Sequence, residues 1–420
     1  MTDGATSTAG ASAAPDYETP DYETPFRGLK VLDLSQGVAA PHCGMLLALY
    51  GADVVKVEPP AGDWMRPVGV YRGEHSAHSV YYGRGKRSIA LDMKHPDGLA
   101  IVRELARQAD VMIESFRPGV AARLGVDYES VRPSNPGLIY ISLSGFGQTG
   151  PYAERPCTDT VAQAFSGLMS LNTAMDGTPG KVGAVIIDTV TGLFAYQAIA
   201  TALYARGNSG QGRYLDISLM GGAAAMLAPK FLEAHLSGGN PKAFNPPAGN
   251  YQTKDGWIAV TLVREAEYRL ICETIGLPEL GADPRLQSFN DRADNLDVVR
   301  AGLVPRFLEK TTAEWEALLK GAGILCDPVM DLPGWLAHPH VQAAGVAPMA
   351  DRPGFGDGPL IRVPGALRSP GEAGPAPGIG EHGAEILSEL GFSPDDVARL
   401  VAEKAVQLPE QKSEQENGNG

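Results

Sequence analysis

Four cysteines are all that this 420-residue chain contains. Cys43, Cys157, Cys272 and Cys326 form no CxxC pair and have no histidines at metal-ligand spacing. That excludes a disulfide framework, argues against zinc, and makes a reducing cytoplasm the expected location. An excess of basic residues is missing too. With a formal charge of -14 at pH 7, neither nucleic acid nor an anionic membrane is expected as the main partner. The first residues, MTDGATSTAGASAAP, lack the basic head and apolar centre of a signal peptide. Apart from His338–Pro339–His340, which reads as a turn in a Pro-rich loop, no HxH or HxxxH pair occurs, so no metal is expected. The glycine fingerprints are absent as well. The first strand leads into SQGVAAPHCG rather than GxGxxG, which disfavours a nicotinamide enzyme, and neither GxxxxGK[ST] nor GxSxG occurs.

What remains has the composition of an ordinary soluble enzyme, 44% apolar and 20% charged, long enough for two or three domains. Short β-rich runs alternate with helical stretches. Leu29–Ser35, Asp53–Glu58, Asp110–Ser115, Leu138–Gly145 and Tyr214–Met220 read as strands, and His42–Gly51 and Pro96–Ala109 as helices. This alternation predicts an α/β fold with a parallel sheet covered on both faces. Beyond Ala228 the texture changes to a hairpin over Pro247–Leu262 and short helices broken by Pro and Gly, a smaller α+β domain. The expected organisation is a disordered tail over 1–27 that includes the doubled DYETP, and the large domain over 28–228. The small domain then covers 229–362, 363–406 returns to the large domain, and 407–420 is a second tail.

One residue breaks the longest charge-free apolar stretch, Val182–Ala205. A carboxylate is costly there unless it is hydrogen-bonded or used, and Asp188 is that carboxylate. VGAVII before it reads as extended and TVTGLFAYQAIATALYAR after it as helix, so Asp188 falls at a helix start. It is there either as an ordinary N-cap or as a nucleophile that the helix end keeps ionised. The stretch is long enough to span a membrane, but Asp188 and its threonines make it a core segment instead. Basic residues gather in YGRGKRSIALDMK (Arg84, Lys86, Arg87, Lys94) and SFRPGVAARLG (Arg117, Arg123), near the ends of strands. They are either phosphate ligands or solvated surface charge.

The ordered motifs resemble class III CoA-transferases of the formyl-CoA transferase and carnitine CoA-transferase type. They are GLKVLDLSQGVAAPHCGMLLALYGADVVKVEPPAGDWMR, GKRSIALDMKHPDG, ADVMIESFRPGVAARLG, NPGLIYISLSGFGQTGPYAERP, VAQAFSGLM, VIIDTVTG and SGQGRYLDISLM, followed by GILCDPVMDL, HPHVQAAG and GEHGAEIL. They extend from about Arg27 to Val406. The resemblance implies a Rossmann-like large domain and an interlocked, ring-like homodimer. It also implies CoA transfer from an acyl-CoA to a free carboxylic acid through an aspartyl anhydride and an aspartyl-CoA thioester, with CoA as substrate and no tightly bound cofactor. The nucleophile it implies is Asp188. The segments it implies for CoA are Val38 and Ala39; Leu91, Asp92, Met93 and Lys94; Ser115, Phe116 and Arg117; Arg123; and Pro156, Cys157, Thr158 and Asp159.

The chain departs from formyl-CoA transferase at Val38, where that family has Gln, and at Thr158, where it has Tyr. It also keeps only a short counterpart, Pro246–Asn250, of the glycine-rich loop. These departures argue against formate or oxalate as its acids. A related alternative is an alpha-methylacyl-CoA racemase-like epimerase, which places His at the position of Thr158 and would leave Asp159 to move protons. A non-catalytic acyl-CoA binding protein is the other, and it has no use for Asp188.

Overall fold

The computed structural model describes residues 24–173, 177–239, 241–366 and 374–409. Most of the two expected tails, including the DYETP repeat, lies outside the described residues. The chain divides into two compact units, one of 1–226 with 348–420 and one of Leu227–Ala347.

The first unit is built on a sheet of six parallel strands: β1 (Lys30–Asp33), β2 (Asp53–Glu58), β3 (Lys86–Leu91), β4 (Val111–Glu114), β5 (Ile139–Ser144) and β6 (Arg213–Ser218). The spatial order is β3-β2-β1-β4-β5-β6, and a short antiparallel strand, Val406–Gln407, borders β3. Register is set by pairs such as Leu32 with Val55 on one side and Leu32 with Met112 on the other. The strands of the sheet centre are buried on both faces, which is why they read as continuous apolar runs. Strand order reverses between β1 and β4. Beyond the carboxyl ends of those two strands, the loops after them leave in opposite directions and open a crevice.

Two cores sandwich the sheet. On one face α1 (Ala39–Leu49) and α4 (Ile186–Ser209) pack with Val31, Ile113 and Ile141. Every residue of α1 is buried, so its sequence is apolar all round instead of amphipathic. The two helices meet at Gly192, where a Cβ would lie 2.6 Å from the Ala39 carbonyl oxygen and 2.8 Å from His42 Nδ1. Glycine is therefore required for α4 to bring its first turn against α1. Although α4 is long and apolar enough to cross a membrane, its Ile187, Ala195, Ile199 and Ala202 form part of this core. On the other face α2 (Pro96–Gln108) buries Ile101 and Val102 against Leu32 and Met112. The helices Gly383–Glu389 and Pro394–Ala402 join that core through Ile386, Leu387 and Leu400.

The second unit holds a three-stranded antiparallel sheet, Gly249–Gln252, Trp257–Thr261 and Leu325–Pro328. Helices pack on it around Tyr251, Ile258, Tyr268, Phe307 and Trp315.

Two boundaries differ from the sequence reading. Residues 348–362 belong to the first unit, where the buried Arg84 guanidinium needs acceptors and donates to the Ile361 carbonyl at 3.2 Å. Gln407, assigned to the tail, is paired with Ala90, because strand β3 offers an open edge there.

Candidate active site

A cavity of about 510 Å³ occupies the crevice at the strand-order reversal. Its walls are Gln36–Ala40 after β1, Ser115–Pro118 after β4, Leu143–Gly145 at the end of β5, Ala153 and Arg155–Thr158, Trp64 and, from α4, Asp188. Of the residues the resemblance implies for CoA, Val38, Ala39, Ser115, Phe116, Arg117, Pro156, Cys157 and Thr158 line this space.

The helix start at Asp188 is organised differently from the sequence expectation. The helix begins at Ile186, two residues earlier than the extended reading of VGAVII allows, with Val185 at the N-cap and no side-chain cap of its own. Asp188 lies in the first turn, and the cap is supplied from elsewhere. Asp159, only 3% exposed, accepts from the backbone N–H of Ile187 at 2.7 Å and of Asp188 at 3.2 Å through Oδ1. Its Oδ2 accepts from Gln163 Nε2 at 2.6 Å. Gln163 also accepts from the Val182 N–H at 3.0 Å, which fixes the chain entering α4. Asp159 thus anchors the start of the helix and, unlike Pro156, Cys157 and Thr158, does not line the cavity.

The consequence falls on Asp188. The first donors of its helix are given to Asp159, and among the described residues no protein donor is bonded to the Asp188 carboxylate. Burial, and after it the negative charge of Asp159, pushes its pKa up to about 7. An oxygen nucleophile with little solvation and no hydrogen bonds is a reactive one. In the nucleophilic role that the resemblance implies for Asp188 only the ionised form would attack, and kcat/KM is then expected to rise about tenfold per pH unit below about pH 7 and to level above it. A profile already flat from pH 5 to pH 8 would contradict this.

Neighbouring groups do not compete for that role. Burial pushes the Cys157 thiol up to about 11, with Asp188 adding to the effect, so little thiolate exists near neutrality. His42 is driven down to about 4 by burial, and its Nδ1 faces the Thr189 carbonyl oxygen at 3.2 Å. It is neutral and holds α1 to α4.

The basic cluster divides. Lys86 is buried and pairs with Asp33 at 2.8 Å while donating to the Pro41 carbonyl at 2.8 Å. Arg87 pairs with Asp53 at 2.7 Å and Glu389 at 2.8 Å, and Arg84 stacks on Tyr81. These three are internal braces, not phosphate ligands. With Lys56, which donates to the Ser35 carbonyl at 2.8 Å and pairs with Asp63 at 3.0 Å, Lys86 holds both ends of the Ser35–Pro41 loop. Asp63 in turn accepts from the Gly37 N–H at 3.2 Å.

Leu91, Asp92, Met93 and Lys94 follow β3 on the same edge of the sheet but do not line the cavity. They stand two strands from β1, about 10 Å away at ordinary strand spacing. Leu91 is in the core, and Lys94 is exposed, as is Arg123, which also lies outside the cavity wall. Sequence reasoning missed Gln36, Gly37, Trp64, Ser144 and Arg155. The available signal was position for three of them, since Gln36 and Gly37 follow the carboxyl end of β1 and Ser144 is the last residue of β5.

A doubly wound sheet with a partly buried carboxylate facing the crevice at its strand-order reversal is the setting in which open α/β folds bind ligands. Residues 26–383 match the model of CoA-transferase family III, and the chain belongs to that family. It is 35% identical to an acetyl-CoA:oxalate CoA-transferase of Acetobacter aceti, over 87% of this chain and 95% of that one. It is 34% identical to a succinate–glutarate CoA-transferase of Agrobacterium fabrum, over 86% and 95%. A crystal structure of a CAIB/BAIF family protein from Brucella suis superposes with a TM-score of 0.75 at 33% identity, covering 88% of this chain and 100% of that one. A crystal structure of Rv3272 from M. tuberculosis gives 0.75 at 28% identity, covering 86% and 99%. The protein is thus a class III CoA-transferase, with CoA thioesters as substrates.

Proposed function

We propose that the enzyme moves CoA between an acyl-CoA and a free dicarboxylic acid by covalent catalysis through Asp188. The observation that carries this reading is the partly buried Asp188 carboxylate, unbonded among the described residues and facing the cavity. Its attack on the thioester carbon forms a C–O bond and breaks the C–S bond, leaving a mixed anhydride and CoA thiolate. The thiolate attacks the Asp188 carbonyl carbon, expels the donor acid and leaves an aspartyl-CoA thioester. The acceptor carboxylate attacks that thioester and again releases thiolate, which takes the acyl group from the second anhydride and restores Asp188. Each exchange is between acyl derivatives of similar energy, so the protein contributes position and a nucleophile. An epimerase needs a second proton-transfer group, and the carboxylate of Asp159 is engaged by three donors, which favours transfer.

Dicarboxylates are favoured by the names of the relatives, which carry oxalate, succinate and glutarate. The relative at 35% identity carries oxalate in its name, which keeps that acid among the candidates beside the departures at Val38 and Thr158. Leu193 and Tyr204 on α4 and Tyr214 on β6 are exposed, and a second copy of the chain covering them fits the proposed homodimer. The four free cysteines fit a reducing cytoplasm.

Incubation with an acyl-CoA and no acceptor tests the chemistry. Intact-mass spectrometry is expected to show an addition of CoA less one water, mapping to VIIDTVTG and discharged by hydroxylamine. An adduct on a cysteine, or none with any donor, would overturn the covalent reading.

A further inference from the structure

Two arginines reach the cavity, and they differ in setting. Arg117 follows Ser115 and Phe116 after β4, within the stretch whose resemblance points to the nucleotide part of CoA. Arg155 lies on another wall, in the segment that continues through Pro156, Cys157 and Thr158. Among the described residues the carboxylate-paired arginines are Arg66, Arg87, Arg107, Arg206, Arg264, Arg285, Arg292, Arg306 and Arg399, and Arg155 is not one of them. It is not loose, however. Its guanidinium sits over the Tyr152 ring at 4.9 Å and near the Phe146 ring at 5.8 Å. Those rings are packed edge to face, with centroids 5.7 Å apart, and Phe165 braces both, at 5.1 Å from Phe146 and 5.7 Å from Tyr152. Arg155 is exposed, and the aromatic platform restrains its planar fork while leaving the edge N–H groups without a protein acceptor among the described residues, the arrangement that suits bidentate capture of a carboxylate.

We infer that Arg155 reads the second carboxylate of a dicarboxylic acid, and is the residue that sets this enzyme's preference for dicarboxylates over monocarboxylates. The inference rests on the transfer reading above. The acceptor carboxylate attacks the aspartyl-CoA thioester, in which Asp188 carries no charge, so what it needs from the cavity is position. A cation lining the same cavity, engaged by the far end of the acid, supplies that position without touching the reacting carboxylate. Cys157 already senses both charges: after burial and Asp188 raise its pKa, Arg155 acts in the opposite direction. A monocarboxylate gains nothing from this contact, whereas a dicarboxylate gains one charge-assisted pair.

The test measures acceptor specificity with acetyl-CoA as donor, comparing glutarate with butyrate, in the wild type and in Arg155→Gln and Arg155→Lys. The ratio of kcat/KM for glutarate over butyrate is expected to fall about ten- to hundredfold in Arg155→Gln, as for loss of one charged hydrogen-bonded pair. Arg155→Lys is expected to recover only part of it, since a point charge replaces a fork. The loss belongs in KM for glutarate. An unchanged ratio overturns the assignment. So does a parallel rise of KM for acetyl-CoA with both acids, which makes Arg155 a phosphate contact of CoA. Absence of CoA exchange between any thioester and any acid in the wild type overturns the transfer reading itself, and the anchor with it. That outcome is seen before any variant is made, so the two failures are separable.

Discussion

Asp188→Ala is expected to lose CoA transfer by about 10⁴-fold or more while remaining folded, because without the carboxylate neither anhydride nor aspartyl thioester can form. Asp188→Asn is expected to be as inactive, and it adds a second readout. Burial raises the carboxyl to about 7, so ionisation of Asp188 at pH 8 costs the folded state relative to the unfolded one. A raised carboxyl pKa means that the folded chain holds the proton more tightly, and stability falls as pH rises from about 4 through 7. The neutral isostere avoids that cost. Asp188→Asn is expected to be more stable than the wild type at pH 8 by about 2 to 4 kcal/mol, the lower figure reflecting partial exposure and the helix end. The gain is expected to vanish below about pH 4, where Asp188 is protonated in both states. Thermal midpoints of the two proteins at pH 4 and pH 8, set beside turnover, check both halves. Retention of more than a few percent of wild-type activity in Asp188→Ala would remove the nucleophile from the mechanism.

The sheet and the proposed nucleophile stand out in the sequence for the same reason. Strands buried on both faces must be apolar throughout, so β1, β4 and β5 stand out between helices without any knowledge of tertiary structure. Asp188 stands out because a charge in such company has to be explained. Its environment was not legible. The sequence places a helix start next to Asp188 and so suggests a stabilised carboxylate, whereas the donors of that helix are occupied by Asp159, 29 residues earlier. No local pattern records that pairing. It follows from where the segment after β5 crosses α4, a tertiary fact that reverses the expected direction of the Asp188 shift.

The basic cluster failed in the opposite way. Arg84, Lys86 and Arg87 look like surface charge or phosphate ligands because Lys and Arg are mostly exposed. Their partners are far apart in sequence, Asp33 for Lys86 and Asp53 with Glu389 for Arg87, and they meet only through the pairing of β1, β2 and β3 and the packing of the helix Gly383–Glu389. Arg155 escaped notice for the complementary reason. Within GPYAERP it resembles any loop arginine, and its restraint becomes visible only once Phe146, Tyr152 and Phe165 converge.

Lys86→Met is expected to destabilise the protein by about 3 to 5 kcal/mol, the range for removing one partner of a buried ion pair. Both side chains of the Lys86–Asp33 pair are 0% exposed, so the carboxylate left behind cannot recover solvent. Burial on its own drives the Asp33 carboxyl up, and Lys86, helped by Lys56, outweighs it and holds it below the ordinary range. With Lys86 gone, the Pro41 carbonyl also loses its donor, at the point where the Ser35–Pro41 loop turns into α1. Transfer activity is therefore expected to fall together with stability, since Gln36–Ala40 form one wall of the cavity. The double variant Asp33→Asn/Lys86→Met removes both charges and is expected to recover more than half of the lost stability, because the main penalty is the unpaired carboxylate and not the missing attraction. Chemical denaturation of the wild type, the single and the double variant measures this. A lysine that bound a CoA phosphate would behave otherwise: its replacement would raise KM for every acyl-CoA, leave the denaturation midpoint in place, and gain nothing from a second substitution at Asp33.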